Sequence, residues 1–166
     1  MKVTLRKPKM SDEEGFMEVF NDKEVAKQLT GYPYPLTIEK SKKRLKDIIN
    51  KNKKGNYYEF AITVNNRFVW LIVLEKPSKD RKTFTLGYAI GRKYWNKGIT
   101  TSAIKKIISF GFNRLKIKKI VADNDEDNPA SGRVLEKNKF KLIKKAKKRR
   151  RKTDKRINVL YWEKVK

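Results

Sequence analysis

Apolar positions along the chain switch between two periods, and the switches divide it into elements. Val3-Thr4-Leu5-Arg6 alternates as a short strand. Ser11-Asp12-Glu13-Glu14 has the form of a capping box and opens a helix that turns Phe16, Val19 and Phe20 inward. Asp22 to Leu29 reads as a further helical turn, and Gly31-Tyr32-Pro33-Tyr34-Pro35 breaks the pattern. Thr37 then caps a helix whose Ile38, Leu45, Ile48 and Ile49 share a face, followed by a polar loop over 51–56. From Tyr58 the period is two, with Phe60, Ile62 and Val64 on one side. An Asn65-Asn66 turn leads into Arg67 to Glu75, a β-hairpin, and Thr83 to Gly91 follows as a third consecutive antiparallel strand.

The second half returns to helical spacing. Ile99, Ala103, Ile104, Ile107 and Ile108 recur as the buried stripe of a helix from about 99 to 114. Lys119 to Asp123 reads as a strand. Asn128-Pro129 starts a helix with an N-cap and a proline at its first position, turning Val134 and Leu135 inward. Phe140 to Ile143 and Ile157 to Trp162 read as a final pair of strands. The order predicts a mixed α/β (α+β) fold, a central sheet of about seven strands flanked by about four helices, without repeats.

Where the third hairpin-region strand meets the long helix stands Tyr94-Trp95-Asn96-Lys97-Gly98-Ile99-Thr100-Thr101-Ser102-Ala103. Strand, glycine turn and helix in that order suit an anion. Gly98 permits positive φ and close approach, and the first helical N–H groups, Ile99 to Ser102, point outward unpaired. Lys97 and Arg92 add positive charge nearby.

Composition narrows the chemistry. The 166 residues are the size of one domain, taken as 1–166. No apolar run is long enough to span a bilayer, and Met1-Lys2-Val3-Thr4-Leu5 lacks a signal's hydrophobic stretch. A cytoplasmic protein with no membrane partner is expected. The absence of Cys and His excludes disulfides, thiolate catalysis, a Ser/His/Asp triad and an ordinary zinc site, so no metal is expected. The net charge of +26, from 44 Lys+Arg against 18 Asp+Glu, admits two readings. One is a polyanionic partner; the other is compositional bias, from an A- and T-rich genome or a thermophile's lysines.

Read in order, these segments resemble the GNAT N-acetyltransferase superfamily, and within it the RimJ/RimL-like branch of ribosomal-protein acetyltransferases. The resemblance runs through Leu5-Arg6-Lys7-Pro8 with Asp12, Asn21 to Lys27, and Pro33-Tyr34-Pro35-Leu36-Thr37. It continues through Leu86-Gly87-Tyr88, the Tyr94 to Thr101 loop, and Asn128-Pro129-Ala130-Ser131 onward to Phe140. It implies acetyl-CoA as acyl donor, with backbone groups around Ala89, Ile90 and Gly91 on the pantetheine arm. Lys97, Gly98, Ile99, Thr100 and Thr101 would cradle the pyrophosphate, and Asn128, with Lys137 further along its helix, would hold the cofactor. Ser131 would lie near the thioester sulfur as a proton donor, and Tyr32 and Tyr34 would line the acceptor pocket, with Thr85 and Asp123 also on the substrate side. Each residue has an ordinary reading too: a plain turn at Gly98, a helix cap at Asn128, local backbone satisfaction at Ser131, loop packing for the tyrosines.

The chain also departs from the branch. Asn96 and Thr100 stand where small residues, chiefly glycine, are usual; Trp70, Val73 and Lys139 replace glycines; and Thr85 and Ile143 replace frequent carboxylates. The remaining candidates for a base are Glu75, Asp123 and Asp125, or solvent. Direct attack of a neutral amine in a ternary complex then favours an acceptor that deprotonates easily. An α-amine of pKa about 7.7 to 8.0 is roughly a tenth neutral at pH 7, against about four parts in ten thousand for a lysine near 10.4. The gap is worth on the order of 3.5 kcal/mol and favours protein N-termini over lysine or polyamine. Asp123, Asp125, Glu126 and Asp127 either draw the cationic amine or complement the adjoining helix dipole. The run 144–152 at the tip of the last hairpin is either a solvated tip or a phosphate-backbone contact to ribosome or nucleic acid. The rival to an enzyme, acting as monomer or homodimer, is a basic RNA- or ribosome-binding protein with the same fold and no turnover.

Overall fold

The computed structural model describes residues 1–29, 34–76, 82–149 and 156–166. Seven strands form one sheet: β1 (Val3–Arg6), β2 (Tyr57–Val64), β3 (Arg67–Glu75), β4 (Thr83–Tyr88), β5 (Lys119–Asp125), β6 (Lys141–Arg149) and β7 (Arg156–Val165). Their order across the sheet is β1-β2-β3-β4-β5-β7-β6, so β7 closes between β5 and β6. Five α-helices flank it: α1 (Glu13–Phe20), α2 (Lys23–Gln28), α3 (Ile38–Lys51), α4 (Ile99–Ser109) and α5 (Pro129–Lys137). The turn expected after Asp22 is a full short helix, because the Asp22 carboxylate accepts from the N–H groups of Glu24 and Val25.

The sheet separates two cores. On one side Ile99, Ala103, Ile104 and Ile107 of α4 and Leu135 of α5 pack on Ile62, Ile72, Leu74, Ile120 and Trp162. On the other, Phe16 and Phe20 of α1 and Leu45 and Ile48 of α3 pack on Ala61, Trp70 and Leu71. Trp70, standing where a glycine is usual, fills this second core and stacks on Phe16 with ring centroids 5.5 Å apart.

Three expectations change. Ile38 is 61% exposed, because only Leu45 and Ile48 of its stripe reach the sheet. Ser11 does not cap α1: Asp12 is its N-cap residue and makes no side-chain bond to the helix, its carboxylate instead closing the Met10–Asp12 turn ahead of it by accepting from Lys9 N at 2.9 Å and from Arg6 Nη1 at 2.8 Å. The last two strands are longer than the apolar pattern suggested. Lys144 to Arg149 belongs to β6, paired residue by residue with Tyr161 to Arg156, so most of the basic run is strand rather than hairpin tip.

One feature of the pairing creates an opening. The parallel pair β4 and β5 is joined only at Thr83–Lys119, Phe84–Ile120 and Thr85–Val121. Beyond that point β4 continues to Tyr88 against β3 alone, while β5 continues to Asp125 against β7 alone. The sheet forks, and α4 and α5 begin at the two sides of the fork.

Candidate active site

Gly98 is the N-cap of α4 with φ 70° and ψ 2°, a left-handed conformation that glycine adopts without strain. Nothing lies within 4 Å of the place where its Cβ would stand. Asn96 shares the left-handed region at φ 58°, so the asparagine in a usual glycine position carries the same turn. The first helical hydrogen bond is Ser102 N to Gly98 O at 3.0 Å. The N–H groups of Ile99, Thr100 and Thr101 therefore have no acceptor within the helix, and no side chain caps the end. Lys97 is exposed and makes no ion pair among the described residues. Together these form an open, electropositive seat for an anion.

The stretch leading into the turn is partly committed already. Ala89 N donates to Leu71 O, Trp95 Nε1 donates to Ile90 O at 2.9 Å, and Tyr94 N donates to Gly91 O. What remains for a ligand, among the described residues, is the Ala89 carbonyl and the N–H groups of Ile90 and Gly91. Arg92 is also less free than its sequence position suggested: its Nε lies 2.9 Å from Asp22 Oδ2, and the neighbouring Lys93 is paired with Glu18. Phosphate-seat charge therefore falls to Lys97, with Lys137 exposed near the far end of α5.

Across the fork, Asn128 is the N-cap of α5, its Oδ1 accepting from Ser131 N at 3.3 Å. Asn124, nearly buried, braces this turn: its Nδ2 donates to the carbonyls of Asp125 and Asn128, and its Oδ1 accepts from Trp162 Nε1 at 2.6 Å. Asn138 ties the other end of α5 to α4 by donating to Thr101 O and Val134 O. Lys139, another usual glycine, takes φ 62° immediately after it. Ser131 sits in the first turn of α5, and Tyr88 reaches it from the end of β4, hydroxyl to hydroxyl, at 2.8 Å. Tyr88 belongs to the Leu86-Gly87-Tyr88 motif, whose sequence alone gives the phenol no role.

On the face bearing α1 and α3, directly opposed residues make a row: Tyr57, Glu75, Thr85, Val121, Glu163 and Lys141, one from each of six strands. Glu75 and Asp123 are exposed, and Thr85 is half-buried. Asp123 opposes Tyr161, whose ring lies under Lys144 Nζ at 4.8 Å. Glu126 is removed from the acidic group near Asp123, since Lys145 Nζ at 2.5 Å and Asn158 Nδ2 at 2.9 Å hold its carboxyl below the usual range. Ile143 is exposed at a bulge in β6. Tyr34 is 48% exposed and lines a groove of about 650 Å³ with Glu18, Asp22, Gly91, Arg92 and Lys93. Tyr32 lies outside the described residues.

A second missed group is Glu59, 5% exposed on β2, which accepts a hydrogen bond from the Tyr57 hydroxyl. Burial pushes its carboxyl above the usual range, against Tyr57 and the positive charges of Arg44 and Lys51; the charge of Glu75 pushes it further up. Glu59 shares its side of β2 with Tyr57 and Ala61, opposite the Phe60, Ile62 and Val64 stripe, so the two-residue period gives no signal of its burial. Among the described residues no group of three His, Cys, Asp or Glu side chains could hold a metal, and no helix is long and apolar enough to cross a membrane.

The chain is similar to several known proteins. Uncharacterized N-acetyltransferase p20 of Bacillus licheniformis is 24% identical over 136 residues, covering 81% of this chain and 76% of its own. The microcin C7 self-immunity acetyltransferase MccE, solved with acetyl-CoA and AMP, superposes with a TM-score of 0.88 at 21% identity, over 99% of this chain and 93% of that one. RimL, the ribosomal L7/L12 α-N-protein acetyltransferase solved with coenzyme A, superposes at 0.86 and 18% identity, over 99% and 94%. The model of the acetyltransferase (GNAT) domain matches residues 2–141, which take in the fork, the Gly98 turn and the Asn128 cap, and the chain belongs to the GNAT acetyltransferase family.

Proposed function

We propose that the protein is an acetyl-CoA-dependent N-acetyltransferase of the RimJ/RimL-like branch, a single domain over 1–166, whose acceptor is a protein N-terminal α-amine. The observation that carries this is the uncapped start of α4 behind left-handed Gly98, opening beside the β4–β5 fork. An anion seat next to a parted strand pair fits a ligand with a pyrophosphate at one end and an extended amide-bearing arm at the other. Lys97 and the N–H groups of Ile99 to Thr101 take the pyrophosphate; Ala89 O and the N–H groups of Ile90 and Gly91 take the arm; Asn128 and Lys137 take contacts from the α5 side. Acetyl-CoA supplies an activated acyl carbon, and the chain's part is to hold it beside an amine, accept the amine's proton and steady the departing sulfur.

The half-buried hydroxyl of Ser131 is the group on the sulfur side. On the amine side Glu75 is the proton acceptor, with Thr85 directly opposite it on β4, Asp123 further along β5, and Tyr34 in the groove it lines with Gly91, Arg92 and Lys93. A single exposed carboxylate is a weak base, which suits an α-amine that is already roughly a tenth neutral at pH 7. The α-amine acetylation for which RimL is named supports the same choice. The exposed lysines of β6, with the rest of the 144–152 run, supply contact to a ribosome or other nucleic acid bearing that acceptor; 150–152 lie outside the described residues.

The first test is a thermal-shift titration, in which saturating acetyl-CoA raises the melting temperature by mass action. No shift rejects the enzyme. Free-thiol release with peptides differing only in an open or acetylated N-terminus then decides the acceptor, and equal rates reject the α-amine.

A further inference from the structure

Tyr88 is the last residue of β4, opposite Ile72 of β3, and its side chain spans the fork to the first turn of α5. Its hydroxyl lies 2.8 Å from Ser131 Oγ and 3.2 Å from the Ser131 carbonyl oxygen. A phenol and a serine bring one O–H each, and the carbonyl can only accept. Two arrangements follow. If the phenol donates to the carbonyl, the serine proton is drawn back onto the phenol oxygen. If the phenol donates to Ser131 Oγ, the serine proton is free to point elsewhere.

The surroundings hold both groups in place. Ser131 N is engaged by Asn128, so the serine backbone is fixed. Tyr88 packs against the α4-side core. Burial pushes the phenol up to about 12, with the Ser131 hydrogen bond pulling the other way, so it stays a donor throughout the neutral range.

Resting on the acetyltransferase reading, we propose that Tyr88 is a positioning residue for acetyl transfer, whose O–H donates to Ser131 Oγ and so directs the serine O–H at the departing sulfur. As the amine nitrogen bonds to the acyl carbon, the C–S bond breaks and its electron pair passes to sulfur. The serine O–H meets that charge as a hydrogen-bond donor. The proton leaving the amine goes to a carboxylate or water, and the sulfur collects its own from solvent. Tyr88 is not the net proton source, since a phenol at about 12 is a weaker acid than a thiol near 8.5 by roughly three-thousandfold.

The test compares wild type, Tyr88→Phe, Ser131→Ala and the double variant by free-thiol release from acetyl-CoA with an N-terminally open peptide. Tyr88→Phe keeps the ring and is expected to melt with the wild type and hold KM for acetyl-CoA within about twofold, while kcat falls about tenfold. A strut that merely bridged the fork would move KM and the melt instead. Because Tyr88 acts through Ser131, the double variant turns over no more slowly than Ser131→Ala. Wild-type kcat in Tyr88→Phe, or losses that multiply in the double variant, overturn the proposal. Wild-type protein that neither shifts its melting temperature with acetyl-CoA nor releases thiol overturns the acetyltransferase reading itself, and does so before any variant is made.

Discussion

Glu75 and Thr85 face each other directly across β3 and β4, at the position where the last register between β4 and β5 also falls. Residues so opposed carry Cβ atoms about 4.5–5.5 Å apart. A carboxylate on Glu75 therefore reaches much of the space that one at position 85 would occupy, and the loss of a carboxylate from β4 is met by one on the neighbouring strand. Glu75→Gln is expected to lower kcat/KM for an open-N-terminus peptide by about tenfold to a hundredfold at pH 7, leaving the acetyl-CoA thermal shift intact. Returning the carboxylate one strand over, in Glu75→Gln with Thr85→Glu, restores part of the rate. An unchanged rate in Glu75→Gln removes the residue from the reaction.

Gly98 tests the other half of the site. A methyl group there has open space around it, yet the backbone at φ 70° disfavours any side chain. Gly98→Ala is expected to cost about 1–2 kcal/mol of stability, read as a lower denaturant midpoint. It also weakens acetyl-CoA binding, because relaxation of the turn re-aims the free N–H groups of α4. Gly98→Asn, which tolerates the left-handed region as Asn96 does, should recover most of both losses.

Much of this was legible in the chain itself. The α4 stripe of Ile99, Ala103, Ile104 and Ile107 read correctly because a helical period survives any tertiary context that buries one face. The glycine turn read correctly because a left-handed cap has few residues that fit it. What sequence could not show depended on partners far along the chain. Tyr88 meets a serine 43 residues away, and no local pattern announces that meeting. Nearer by, Asp12 rather than Ser11 stands at the start of α1, its carboxylate turned back to Arg6 and Lys9 N. The length of β6 was hidden because its lysines are held by ladder pairing with β7 rather than by an apolar face.

The same strand carries a prediction about polyanions. Lys145 is occupied by Glu126, whereas Lys147 and Lys148 are exposed and form no ion pair among the described residues. They oppose Asn158 and Ile157, so neither has an acid directly across the ladder. If β6 tracks a phosphate backbone, Lys147→Gln with Lys148→Gln weakens binding to RNA of any sequence. The slope of log affinity against log salt then becomes shallower by about 1.4 for a single strand, roughly 0.7 for each phosphate left without its lysine. The acetylation rate on a short free peptide stays unchanged. A salt slope identical to wild type assigns the lysines to solvation alone.

Glu59 makes the stability of the fold depend on pH in a definite direction. Its carboxyl titrates near 4.5 in the unfolded chain and higher in the folded one, raised first by burial and further by Glu75, against the Tyr57 hydrogen bond and the charges of Arg44 and Lys51. Between those two values the folded state binds more protons than the unfolded state, so stability falls as pH rises through the window. Above it the chain keeps an ionised carboxylate that is 5% exposed. Glu59→Gln removes this titration and retains a group able to accept from the Tyr57 hydroxyl. Denaturant midpoints measured from about pH 4 to pH 8 should decline for wild type across that window, over and above the trend shared with Glu59→Gln. Parallel curves for the two proteins would show that Glu59 titrates in the fold as it does in the unfolded chain. A wild-type midpoint that instead rises relative to the variant would mean that Arg44, Lys51 and Tyr57 together outweigh burial.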